Sequence, residues 1–235
     1  MNDQGSDERE RPRPGSRYSL WVGIAFLVLI GIATLNTLET DEGALLGADE
    51  AEAGSPLAEF AVPDLLAGPD ADANVYQDDC ETSASPCPAD DRRTPACAVE
   101  VPGVIRVCDY FDRPLVLSFW FTTPADCPPT QDVIDRVASE YRGRVGFLSI
   151  AVRGNRDELE RIVRERGWTI DVGWDRDGAA SNLYRVGLCP TVAFVLPGGL
   201  LSEAKVGTEE LGADEVTAAV ERLLEASRRR SEATR

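Results

Sequence analysis

The chain of 235 residues contains no histidine. That absence excludes Ser-His-Asp and Cys-His catalysis, the HExxH zinc helix and c-type haem attachment. Lysine is nearly missing too, with Lys205 standing alone among 24 basic residues. A net charge of −17 argues against a nucleic-acid partner, whose binding depends on neutralising phosphates. None of the six cysteines sits in Cys-x-x-Cys spacing. With histidine also gone, neither a metal site nor a cofactor is expected.

What is present is enough for a core: 43% of the residues are hydrophobic, and the length suits one full-sized domain with extras. The acidity is uneven, with a net charge of −14 over residues 39–100 and −3 over 101–235. An acidic run of that kind reads as a solvated spacer.

Leu20 to Leu38, "LWVGIAFLVLIGIATLNTL", carries no charge and is long enough to cross a hydrocarbon core as a helix. Arg9, Arg11, Arg13 and Arg17 precede it, while Glu39, Asp41 and Glu42 follow. The positive-inside rule places the N-terminus in the cytoplasm and the rest outside. The nearest small-x-small cleavage site, around Ala51–Ala53, is distant, so the segment reads as an uncleaved anchor. The expected organisation is a cytoplasmic tail (1–19), a membrane helix (20–38), an acidic linker (39–55), a folded domain (56–227) and a tail (228–235). The domain then lies in an oxidising compartment, where disulfides persist.

Within the domain, "PLAEFAVPDLL" from Pro56 offers a short extended segment. Residues 68–98, rich in Pro, Asp and Ser, show no helical or strand period and read as a long cysteine-bearing insertion. "PLVLSFWF" (114–121) and "VGFLSIAV" (145–152) are continuous apolar runs suited to strands buried on both faces. Between them Val133, Ile134, Val137, Ala138 and Tyr141 share a helical face. Asn155 and Glu158 have capping-box spacing at the start of a helix that ends at Gly167. A short helix is expected within "RDGAASNLYRV". "TVAFVL", "PGG" and "LLSEAKV" read as a hairpin, and Val216, Ala219, Val220, Leu223 and Leu224 mark a closing amphipathic helix. The order strand, helix, strand, helix, strand, strand, helix predicts an α/β domain with helices covering a sheet.

These pieces resemble the thioredoxin fold, and within it the membrane-anchored TlpA/ResA-like thiol-disulfide oxidoreductases. "PLAEFAVPDL", "DRPLVLSFWFTT…CPP" and "DRDGAASNLYRVGLCPTVAFVLPGG" carry the likeness, which spans about 170 residues from Pro56 to Ala226. The resemblance implies a central mixed sheet flanked by helices and no cofactor. Two departures stand out. "FTTPAD" lengthens the link between the strand and Cys127, and Thr130 occupies the position of the second motif cysteine.

Cys127 sits at an expected helix start, where the dipole favours a thiolate. Pro128 and Pro129 supply no amide, so Thr130 and Gln131 offer the nearest donors. The Thr130 hydroxyl is placed to turn toward the sulfur, while Asp126 works against a second negative charge. The resemblance makes Pro190 the cis-proline, so that Cys189 would face Cys127. The pair is then expected as nucleophile (Cys127) and resolving thiol (Cys189), or else as a permanent bond. Trp120, Thr123 and Thr191 are the expected substrate contacts. Trp168, Trp174 and Tyr184 read as core or groove aromatics, and Arg185 as a surface residue. Among the remaining cysteines, Cys97 with Cys108 and Cys80 with Cys87 is the preferred pairing, since each closes a short loop.

Three functions compete. The first is an extracytoplasmic oxidoreductase acting on exported protein thiols or disulfides, or on another thiol carrier, and recharged by a membrane electron donor. The second is a non-catalytic partner-binding scaffold stapled by Cys127–Cys189. The third, a peroxiredoxin-type peroxidase, needs Pro-x-x-x-Thr-x-x-Cys. Here Trp120 and Pro124 fill the proline and threonine slots, with Thr123 one residue out of place.

Overall fold

The computed structural model describes residues 22–24, 26–28, 46, 52–75, 94–122, 127–207 and 211–233. The chain divides into two units, Met1–Asp41 and Glu42–Arg235. In the first, residues 22–24 and 26–28 are helical with exposed side chains. Among the described residues, no helix is long and apolar enough to cross a membrane. Most of the expected span 20–38 lies outside them, as do Cys80, Cys87, Thr123 and Asp126.

The second unit runs β1 (Phe60–Pro63), β2 (Asn74–Val75), β3 (Val104–Arg106), β4 (Leu115–Trp120), α1 (Pro128–Glu140), β5 (Gly146–Val152), α2 (Arg156–Arg166), β6 (Asp171–Asp175), α3 (Ala179–Leu183), β7 (Thr191–Leu196), β8 (Leu200–Val206) and α4 (Ala213–Ala233). Five strands form a mixed sheet in the order β6-β5-β4-β7-β8. β4, β5 and β6 are parallel; β7 runs antiparallel to β4, and β8 antiparallel to β7. β4 lies at the centre, and every one of its residues is buried. Its unbroken apolar run follows from that position, because both of its faces are covered.

Alternation along the strands sorts the core into two layers. Leu115, Leu117 and Phe119 of β4 join Leu148 and Ile150 of β5 against Phe60, Val62 and Tyr184. Val116 and Phe147 face the other way, against Ile134 and Val137 of α1 and Val216, Val220 and Leu223 of α4. The helical faces read from the sequence are the ones that pack. At α2, the Asn155 side chain accepts from the Glu158 amide at 3.2 Å, and Gly167 ends the helix in the left-handed region at φ 69°.

Two elements correct the sequence-based expectation. β6 does not figure in the predicted order of strands and helices. It is a five-residue edge strand with Gly173 at its centre. Glycine belongs there because a Cβ would strike Val62 and approach Ile150 Cδ1 to 3.0 Å. The second correction concerns the insertion 68–98, expected to be loop throughout. It contributes β2, which pairs with β1 in a second sheet of order β2-β1-β3. A two-residue strand is too short to show a period.

Candidate functional site

β4 delivers the chain to the sulfur. It ends at Trp120, and Cys127 caps α1 with prolines at the first two helical positions, where a missing N–H costs nothing. On the other side, the loop before β7 holds Cys189 and Pro190 across a cis peptide bond. Thr191, the first residue of β7, donates its hydroxyl to the Leu188 carbonyl at 2.8 Å and braces this loop. Cys127 and Cys189 form a disulfide, with α-carbons 6.0 Å apart, a separation ordinary for such bonds.

The disulfide is set in an apolar, aromatic surround. Leu65, Trp120, Leu159, Val163, Trp168 and Trp174 share its cluster. Trp120 is fully buried and meets Trp168 edge to face, with ring centroids 5.1 Å apart. Trp168 is fixed in turn: its indole N–H donates to Asp132 Oδ1 at 2.7 Å. Asp135 accepts from the amides of Thr169 and Ile170 at 2.6 and 3.1 Å. Two carboxylates on α1 therefore position the segment that walls the disulfide.

Thr130 is buried, and its amide donates to the Cys127 carbonyl at 3.0 Å, so that amide closes the helical turn. Gln131 is fully buried beside it. Its Oε1 accepts from Ser118 and Ser149, both at 2.9 Å. These serines are register partners on β4 and β5. The reading of both strands as apolar runs passed over this network. Its signal is one serine at the matching place in each run.

Arg156 is a second feature without a sequence signal. Its guanidinium donates to the carbonyls of Asp64, Leu65, Gly68 and Pro69, at distances of 2.9 to 3.2 Å. It also pairs with Glu160 at 3.1 Å and lies 5.3 Å from the Trp174 ring centroid. The clamp holds the 64–69 turn, and with it Leu65, against the disulfide cluster.

Cys97 and Cys108 form a second disulfide, with α-carbons 5.8 Å apart. Glu59 stands beside it, and the three side chains bring ligand atoms within 4.8 Å of one another. While the two sulfurs are bonded to each other they offer no thiolate to a metal. Arg185 is exposed and adopts a positive φ of 52°. Tyr184 is fully buried and donates its hydroxyl to the Ala58 carbonyl, tying the end of α3 to the segment leading into β1.

No family profile matches the chain. It is similar to the thiol-disulfide oxidoreductase ResA of Oceanobacillus iheyensis, at 24% identity over 104 residues, or 44% of this chain and 54% of that protein. The chain thus spans about half the length of the curated relative it matches. Among solved structures, a protein of Chlorobium tepidum provisionally named thiol:disulfide interchange protein DsbE superposes with a TM-score of 0.52. It is 14% identical, and the match covers 74% of this chain and 98% of that one. A thiol:disulfide interchange protein from a Bacteroides species gives 0.50 at 13% identity, covering 74% and 91%. The chain has the thioredoxin fold, and its likeness to ResA-type redoxins, read first from the motifs, is matched by these relatives.

Proposed function

We propose that this protein is a thiol-disulfide oxidoreductase in which Cys127 and Cys189 cycle between disulfide and dithiol. The observation that carries the reading is the bond between a helix N-terminus and the cis-proline loop. A cysteine at a helix start has its thiolate favoured, and exchange proceeds through thiolates. In this reading the second cysteine has moved from the helix to the facing loop, so Thr130 takes no part as a thiol. The uncharged run 20–38 and the four arginines before it support a single-pass anchor with the domain outside the membrane. Exported protein thiols or disulfides, or a thiol carrier, are then the substrates, and a membrane electron donor the recharging partner.

A scaffold with a permanent staple is the second reading, favoured by the burial of both cysteines. Equilibrating the full-length protein in dithiothreitol buffers and mapping each disulfide by mass separates the two. A Cys127–Cys189 bond that opens above about −300 mV, while Cys97–Cys108 stays closed, supports the oxidoreductase. A bond that resists until the protein unfolds refutes it.

A further inference from the structure

We infer that Cys189, rather than Cys127, is the sulfur that exchanges with substrate. The inference rests on the oxidoreductase reading and reverses the order of attack expected from the motif. The first ground is access: Cys127 is 2% exposed and Cys189 8%, while Leu188 next to Cys189 is 40% exposed.

The second ground is the direction of approach. A cleft of about 210 Å³ is lined by Phe121, Arg153, Asn182, Val186 and Gly187. Gly187 is two residues before Cys189. Phe121 both lines the cleft and packs on the cluster that holds the disulfide. The cleft therefore opens on the Cys189 loop, and Arg153 lends it a cation that favours an incoming thiolate. Displacement at sulfur runs in line with the bond being broken, so the attacked sulfur must be reachable from the side away from its partner. Cys127 sits at the helix start, buried in the cluster with Trp120 and Trp168, and does not line this cleft.

The third ground is the leaving group. Exchange is faster when the departing thiol has the lower pKa. Cys127 caps a 13-residue helix, whose dipole stabilises a thiolate there, whereas Cys189 lies in a loop that leads into a strand.

A substrate thiolate attacks Cys189 Sγ, a substrate–Cys189 disulfide forms, and the Cys127–Cys189 bond breaks with its electron pair leaving on Cys127. A second substrate thiolate attacks the substrate sulfur of that mixed disulfide and releases Cys189 as a thiolate. Two substrate thiols are oxidised to a disulfide, the protein disulfide is reduced to a dithiol, and the two substrate protons pass to solvent or to the cysteines. In the reverse direction Cys189 attacks a substrate disulfide, and Cys127 resolves the adduct.

The test treats the oxidised full-length protein with excess N-acetylcysteine, stops the reaction in acid at successive early times, and caps free thiols with a maleimide before peptide mapping. The expected early product carries N-acetylcysteine on Cys189 and maleimide on Cys127, in about tenfold excess over the opposite pattern. An early product with the adduct on Cys127 overturns the inference and leaves the oxidoreductase reading standing. If neither sulfur is modified before unfolding, the oxidoreductase reading itself falls. As a second check, Cys127→Ser should accumulate a mixed disulfide when given oxidised N-acetylcysteine, and Cys189→Ser should not. The reverse outcome overturns the assignment.

Discussion

Two buried polar side chains carry consequences out of proportion to their size. Gln131 holds the hydroxyls of Ser118 and Ser149 at once, beneath the turn that presents Cys127. Gln131→Ala strips both serines of their acceptor and opens a void. An unsatisfied buried polar group costs about 1–3 kcal/mol, so a loss of roughly 2–4 kcal/mol is expected in urea unfolding. A loss below about 1 kcal/mol would show that the serines find other partners. Asp175 gives a pH signature. It is fully buried at the end of β6, and its carboxyl accepts from the amides of Ala180 and Ser181 at 3.1 and 2.8 Å. Burial raises its pKa above the ordinary 3.8, Asp177 adds to the rise, and the two amides pull the other way. A raised native pKa means that the folded chain keeps this proton after the unfolded chain has lost it. The contribution to stability is therefore largest below 3.8 and declines as pH climbs from there through the native value. Asp175→Asn, neutral throughout, should flatten that decline in unfolding curves taken across the acid range. An unchanged slope would mean that Asp175 is not its source.

At the scale of elements, the turn 64–69 depends on a residue in a different element. Arg156, the first residue of α2, spans four backbone carbonyls with one planar fork. Arg156→Lys keeps the charge opposite Glu160 but cannot reach four acceptors, because an ammonium is a point donor. The expected cost is roughly 2–4 kcal/mol, with faster amide hydrogen exchange across 64–69, including Leu65 of the disulfide cluster. Exchange that is unaltered there would sink the clamp. Nothing in the sequence announces this contact, which joins residues far apart through backbone oxygens that every residue possesses. β4, β5, α1, α2, the β7–β8 hairpin and α4 were legible because long runs and repeated faces set them. β6 was not, because Gly173 serves a close approach to Val62 rather than the strand pattern. β2 was too short to read. The candidate site was legible in its two halves, the Cys-Pro-Pro turn and the Gly-x-Cys-Pro-Thr loop. Its surround was not: the Ser118–Gln131–Ser149 network, the Asp132 and Asp135 contacts and the cleft lined by Phe121 and Gly187 depend on how strands align and helices cross.

At the scale of the molecule, Cys127–Cys189 closes 62 residues of chain, against 11 for Cys97–Cys108. On chain entropy alone the longer closure stabilises the fold by about 4 kcal/mol and the shorter by about 3 kcal/mol. By linkage, whatever a disulfide contributes to folding also makes it harder to reduce in the native state than in the unfolded chain. About 4 kcal/mol corresponds to a potential about 90 mV more negative in the folded protein. A permanent staple should show that full shift or more. A cycling pair must do otherwise, with the fold also favouring the dithiol so that the two states stay close in free energy. The helix dipole at Cys127 supplies such a preference by stabilising its thiolate. Titration of the Cys127–Cys189 pair with dithiothreitol, in buffer and again in guanidinium, should therefore give a difference well below about 90 mV. A difference at or above that value would assign the bond to stability, and with it the whole domain to a stapled scaffold.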